Sequence, residues 1–286
     1  MAYSFAHTEV PDIAWVGRIF TQNHHEIRPA EHGGLEINFD FSGLLKNIIG
    51  GREVNFVPGQ LVAFNPRVKH TEVHRDSTIS ESFIVIGDKF LNEMTGEKNL
   101  SAKIFEHPET FTGPEVLRLA REILRVSHLP FVPRLHFKQL CEELTLALFA
   151  RAEEIPSSIR GAYHPTLVLR AKRRLMDSVE NPEMDLGTLA AEFGMSKFHF
   201  LRTFKNTAGI SPIKYLRNLR VEKFAQQFAD GQSDVTDLAL ASGFSSLSSF
   251  YEAFTATMGT SPKNFARKHQ PQEIVRETYA YMKVKA

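Results

Sequence analysis

Residues 200–212 read FLRTFKNTAGISP and residues 250–262 read FYEAFTATMGTSP, so the chain carries F-x-x-x-F running into Gly-x-Ser-Pro twice. A repeated segment must find the same local solution twice, and this constrains the fold more than any other feature of the sequence. Laying Phe200 on Phe250 brings Phe204, Gly209, Ser211 and Pro212 onto their counterparts at an offset of 50. Laying Leu189-Ala190 on Leu238-Ala239 brings Gly194 onto Gly243 at an offset of 49, so one residue is inserted at the intervening turn. Each copy predicts a short helix ending near a glycine, a tight turn with Ser196 or Ser245 as N-cap, and a second helix of about three turns. That is the anatomy of a helix-turn-helix.

In the second helix of the first copy, Phe200 and Phe204 stand four apart and share one face, which is expected to turn inward against Leu189 and Phe193. The opposite face then presents Lys197, Phe198, Leu201, Arg202 and Lys205. This mixture suits a major groove: arginine bonds the guanine edge, an apolar group meets the thymine methyl, and lysines hold phosphates. SPIKYLRNLRVEKFAQQFAD, between the copies, reads as a long helix that would hold two recognition helices at a fixed spacing along one face of a duplex. Further helices are expected over LVLRAKRRLMDSV and at about 186–193, 197–207, 212–229, 235–242, 246–258 and 262–268.

Charge is distributed unevenly. Residues 164–223 hold eleven Lys or Arg against six Asp or Glu, whereas residues 224–269 hold three against four. The first copy is therefore expected to supply most of the attraction to phosphates. The whole chain is nearly neutral, with 34 Lys or Arg against 33 Asp or Glu, so the total conceals this asymmetry.

The first 110 residues have a different texture, with short apolar runs such as LEINFDF, LVAFN and SFIVIG separated by turn residues. Strands at that spacing predict a sandwich or barrel. From Pro114 the apolar spacing becomes helical, and Leu140, Leu144 and Leu148 form one stripe that packs either on its own β domain or along a dimer seam. IPSSIRGAYHP, residues 155–165, reads as a linker. With 286 residues and one cysteine, the chain is expected to be a two-domain cytoplasmic protein without disulfides, signal peptide or membrane span, in which one domain regulates the other.

Residues 164–269 resemble the DNA-binding domain of the AraC/XylS transcription regulators, through LGTLAAEFGMSKFHFLRTFKNTAGISPIKYLRNLRVEKFAQQF followed by VTDLALASGFSSLSSFYEAFTATMGTSPKNFARK. The resemblance implies an α+β protein with a cupin-like β-barrel or jelly roll for sensing and dimerisation at 1–154 (strands over 1–110, helices over 114–153). The linker at 155–165, an all-α domain with two helix-turn-helix motifs joined by a long helix at 166–270, and a tail at 271–286 complete the plan. The implied partners are operator DNA, a small-molecule effector, RNA polymerase and a second copy of the chain. The site residues it implies are Ser196, Lys197, Phe198, Leu201, Arg202 and Lys205 in the first motif and Ser246, Ser248, Ser249 and Glu252 in the second. Arg202 is the leading candidate for a guanine contact.

The second copy departs from the family pattern: Glu252 and Thr255 replace the usual basic pair on its recognition helix. It is left with weak binding, with reading few bases, or with contacting RNA polymerase. In the N-terminal region, GQLVAFNPRVKH resembles a pocket-lining strand and turn, in which His70 would bond a ligand hydroxyl and Arg67 or Arg52 would pair with an acidic effector. His24, His25 and His32 cluster in sequence, but the H-x-H and nearby carboxylate of metal-binding cupins are missing, so no metal or other cofactor is expected. The chain has no G-x-S-x-G, C-x-x-C, H-E-x-x-H or phosphate loop, and no enzymatic activity is expected. The rival reading is a helical protein-interaction module or co-regulator that has lost DNA binding. Steep salt dependence of DNA binding separates the two.

Overall fold

A computed structural model describes residues 2–22, 25–26, 31–42, 45–74, 79–95, 105, 108–150, 165–231 and 234–268. The expected linker lies outside the described residues except for Pro165, and the tail at 271–286 lies outside them entirely. The chain divides into two compact units. The first holds the chain up to His128 and again from Leu140, and the second holds Leu129–Gln139 and the helices from Pro165 onward.

In the first unit the strands are β1 (Ala2–Val10), β2 (Ala14–Gln22), β3 (His25–Glu26), β4 (Leu35–Phe39), β5 (Leu45–Ile49), β6 (Arg52–Phe56), β7 (Leu61–Phe64), β8 (His70–His74), β9 (Ile79–Ile86) and β10 (Glu109–Phe111). They form a six-stranded sheet in the order β1-β2-β9-β4-β7-β10 and a four-stranded sheet in the order β3-β8-β5-β6. The neighbouring pairs are antiparallel. The expected barrel does not close, because among the described residues no ladder joins one sheet to the other. A cluster joins Phe56 of β6 in one sheet to Val62 and Phe64 of β7 in the other, with Phe41 just beyond β4.

Helix α1 (Asp88–Thr95) follows β9, and α2 (Pro114–Ser127) packs its buried Leu119, Ala120 and Ile123 face over β2 and β9. Arg121 on the exposed side of α2 donates twice to Asp40, at 3.0 and 2.5 Å to Oδ1, and so ties the helix to the end of β4. Asp40 there adopts a left-handed φ of 53°, a conformation that short polar side chains tolerate better than most. In α3 (Arg134–Phe149), Leu140, Leu144 and Leu148 are 7%, 0% and 0% exposed. The chain itself covers this stripe, which removes it as a dimer seam.

The second unit contains α4 (Pro165–Asp177), α5 (Leu186–Glu192), α6 (Lys197–Ala208), α7 (Pro212–Ala229), α8 (Val235–Ala241), α9 (Leu247–Met258) and α10 (Pro262–Lys268). It has two small cores. Val168, Leu175, Leu189, Phe200 and Phe204 make one, and Leu238, Phe244, Phe250, Phe254 and Phe265 make the other. Helix α7 enters both, giving Tyr215, Leu216 and Leu219 to the first and Val221, Phe224 and Ala225 to the second. Between these two sets lies Arg220, buried, with Nε donating to the Val179 carbonyl at 3.0 Å and a terminal nitrogen donating to that of Asn181 at 2.5 Å. Burial, and then neighbouring Arg217, push its pKa down from the usual arginine range. The sequence count included Arg220 among the cations attracting phosphate, but its charge is committed to the interior instead.

The segment Leu129–Gln139 belongs to this unit although it precedes the expected boundary. Phe131 meets Phe265 edge to face, and the Tyr215 hydroxyl donates to the Gln139 amide oxygen at 3.2 Å. Glu222 of α7 caps the start of α3, accepting from the backbone N–H of Leu135 at 2.8 and 3.0 Å. Burial pushes its carboxyl up to about 7, against the opposing pull of those N–H groups.

The unfolded chain releases the Glu222 proton near 4.5, whereas the folded chain holds it to about 7. The contribution of Glu222 to stability is therefore complete below 4.5 and is lost as pH rises to about 7. Denaturant melts at stepped pH should show this fall, and Glu222→Gln should flatten it. Gly243 has φ 87°, and a Cβ there would stand 2.0 Å from the Val179 carbonyl oxygen, whereas Gly259 has φ 64° with open space around it. Gly259→Ala should cost about 1–2 kcal/mol of left-handed strain, and Gly243→Ala distinctly more, as measured by urea unfolding.

Candidate nucleic-acid interface

Helices α5 and α6 form a pair, and α8 and α9 form a second pair built the same way. In the first, Asp185 caps α5 by accepting from Thr188 N–H at 2.8 Å, and Ser196 caps α6 by accepting from His199 N–H at 3.4 Å. Gly209 closes α6 with φ 75°, the left-handed stop that glycine adopts at no steric cost. Ser211 then caps α7 through Lys214 N–H at 3.3 Å, with Pro212 in the first turn.

The second pair repeats this scheme with one change. Asp234 caps α8, Gly259 closes α9 with φ 64°, and α9 is capped by Ser246, which accepts from Ser249 N–H at 3.2 Å. Ser245, the cap expected for this copy from the sequence, does not take that role. The inserted residue lies between Gly243 and the cap, so the helix starts one position later than the glycine spacing indicates. Phe244, the counterpart of Met195, is buried against Phe250, at 5.4 Å between ring centroids, and the extra residue, Ser245, is exposed.

These caps fix which side of each second helix faces solvent. Phe200 and Phe204 of α6, and Phe250 and Phe254 of α9, are 0% exposed. On the other side of α6, Lys197, Arg202 and Lys205 are exposed, Leu201 is half-buried, and Phe198 is 87% exposed. A phenyl ring this bare costs solvation and has no role in the core, so it requires an explanation on the outside. On α9, Ser248 and Glu252 are exposed beside half-buried Ser249, with the Ser246 cap at the start of the helix. Tyr251 stands among them, 46% exposed. Sequence reasoning passed over it because it neighbours Phe250 and reads as part of the same apolar run.

Several cations of the first half are already engaged. Arg174 makes a two-pronged pair with Glu192, at 2.7 and 2.8 Å, and Lys223 pairs with Glu180. The Arg170 guanidinium lies over the Phe193 ring and Lys172 over that of Tyr215, at 5.5 and 5.8 Å from their centroids. Arg202 and Lys205 make no such pair among the described residues.

The three effector candidates do not converge. His70 is 2% exposed, stacked on Phe64 at 4.6 Å between centroids, with Nε2 3.4 Å from a Glu36 oxygen. Arg52 lies in the same cross-strand row, on the far side of Ile49, and is exposed. Arg67, in a left-handed turn with φ 62°, bonds Asp88 at 3.2 Å on the surface. A recess of about 380 Å³ in this unit is lined by Glu9, Trp15, His32, Val85, Asp88 and Lys89 among others, so that Arg67 adjoins it through Asp88 while His70 and Arg52 do not line it. Its walls come from three separated stretches of chain, and no local motif announces it.

A helix-turn-helix domain model matches residues 189–268, from within α5 to the end of α10. The probable transcription factor PqrA of Proteus vulgaris is 32% identical over 85 residues, covering 30% of this chain and 70% of PqrA. The bifunctional transcriptional activator and DNA repair enzyme Ada of Escherichia coli is 36% identical over 92 residues, 32% of this chain but only 25% of Ada. The uncharacterized HTH-type transcriptional regulator YbfI of Bacillus subtilis is 26% identical over 200 residues, spanning 66% of this chain and 68% of YbfI. With a domain match running through both helix pairs and PqrA covered over most of its length, the chain belongs to the AraC/XylS family of transcription regulators.

Proposed function

We propose that the two helix pairs are helix-turn-helix motifs that read successive major-groove segments of one operator, with α6 and α9 as recognition helices and a cupin-like first unit as sensor. The observation that carries this reading is the contrast on α6, where Phe200 and Phe204 are sealed at 0% exposure while Phe198 stands 87% exposed beside Arg202 and Lys205. Apolar contact to a thymine methyl and a two-pronged arginine bond to guanine require this pairing of groups on one exposed helix face. Helix α7, 18 residues long, rises about 27 Å and is held in both cores, so it acts as a spacer of fixed length.

In this reading Phe198, Leu201 and Arg202 face bases, while Lys197, Lys205 and the exposed end of α6 at Ser196 hold phosphates. Ser248, Ser249 and Glu252 face bases on α9, where Glu252 can accept from a cytosine amino group. Leu240, 52% exposed on α8 near Asp234 and Asp237, suits a protein surface better than a phosphate, and we assign RNA polymerase to that side. An effector acts by binding one arrangement of the two units better than another, since equal affinity for both shifts nothing. The recess beside Trp15 and the His70 row are the two places in the first unit where it would be sought.

Arg202→Ala should cost about 1–3 kcal/mol at the selected operator and relax preference at one base pair, whereas Lys205→Ala should weaken every duplex alike. Binding titrations of each variant against the selected operator and a scrambled duplex separate the two behaviours. A selected site indifferent to Arg202→Ala would remove the guanine assignment. Calorimetry with candidate effectors, with and without operator, should show coupling between the two ligands.

A further inference from the structure

Between the start of α7 and the side of α9 runs a groove of about 320 Å³, lined by Ser211, Lys214, Arg217, Asn218, Glu252 and Thr257 among others. Lys214 and Arg217 are exposed and stand three residues apart on α7, so both project onto one face of that helix. Neither makes an ion pair among the described residues, in contrast to Arg174 and Lys223. Glu252 is the only carboxylate among the described residues lining the groove, and it too makes no ion pair there. At the groove floor the Thr257 hydroxyl donates to the Asn218 amide oxygen at 3.0 Å, which leaves the Asn218 NH₂ as a further donor.

We infer that this groove seats the DNA sugar-phosphate backbone where it passes between the two recognition helices, with Lys214 and Arg217 clamping phosphodiester oxygens. The inference rests on the DNA-binding reading above and adds to it a site on the connecting helix. By sequence these two cations belong to the first copy; in space they flank the recognition helix of the second, which carries no basic side chain of its own. The motif that looks too acidic to hold DNA thus takes its phosphate contacts from the helix that positions it. Glu252 places the mouth of the groove on the base-facing side of α9, where the backbone between two groove segments must run. A phosphodiester fits this setting better than free phosphate, because its single charge is repelled less by Glu252 than a dianion would be.

The test uses the full-length protein, the selected operator, a scrambled duplex, and the double variant Lys214→Gln/Arg217→Gln. The plot of log affinity against log salt should flatten by about 0.9 for each phosphate that the variant no longer neutralises. Affinity should fall on both duplexes alike, leaving their ratio unchanged. Ethylation of phosphates between the two protected major-groove segments should interfere with wild-type binding and not with the variant. Lys214→Arg/Arg217→Lys keeps both charges and should keep the slope, while circular dichroism and the melting temperature establish that each variant is folded. Failure of wild-type protein to bind any duplex in a salt-dependent way would overturn the DNA reading and this site together. Salt-dependent wild-type binding with an unchanged slope and ethylation pattern in the folded double variant would overturn this site alone. So would competition by inorganic phosphate at constant ionic strength that the double variant abolishes, since it would assign the groove to free phosphate.

Discussion

Everything in the helical half depends on one shared helix. α7 is buried along successive faces by two separate cores, and neither core can form without it: Tyr215, Leu216 and Leu219 complete the first, Val221, Phe224 and Ala225 the second. The handover falls at Arg220, whose guanidinium is held by the carbonyls of Val179 and Asn181 in the turn after α4. An unpaired cation there would be strongly destabilising, and carbonyls at short distance offset that cost without introducing an opposite charge. Gly243 of the second pair packs against the same place, close to both Val179 and Arg220. Three pieces of chain therefore meet at one buried guanidinium.

This explains why the repeat is tolerant in some places and strict in others. The positions that agree between copies are the ones that build each core and its stops: the paired phenylalanines, the left-handed glycines, and the serine and proline that start the next helix. The differences in charge are on the outside, where Arg202 and Lys205 in one copy correspond to Glu252 and Thr255 in the other. A fold copied once and then exposed to two different surroundings would diverge in this pattern. The inserted residue before Ser246 is exposed Ser245, so the extra length is taken up in the turn, after Phe244 has filled the core place that Met195 holds in the first copy.

The sequence displayed most of the helical half because its signals are local. Caps, left-handed glycines and four-residue aromatic spacing are all set by neighbours in the chain, and the observed helices follow them closely, from α6 at Lys197–Ala208 to α10 at Pro262–Lys268. What remained hidden depends on residues far apart in sequence. Counting charges by copy credited Arg220 to the surface and kept Lys214 and Arg217 away from α9. Only the folded path of α7 shows that the first is interior and that the other two border the second recognition helix. The strand-rich half was legible as strands separated by turns that make a sandwich or barrel, but the choice between them and the order of strands in each sheet were not, because register and sheet partition are decided by pairing across dozens of residues. The stacking of His70 on Phe64 and its approach to Glu36 likewise required the two sheets to be in place.

The stretch Leu129–Gln139 has a practical meaning for anyone who would divide this protein. By position it belongs with the strands, and a cut at the apparent seam near residue 160 would discard it. The helical fragment so produced would lose the ring that covers Phe265 and the backbone N–H groups that face Glu222, exposing an aromatic surface and stranding an acid in apolar surroundings. Sluggish folding or clumping of such a fragment would then reflect where the scissors fell, and a fragment begun just ahead of Leu129 would keep its own lid.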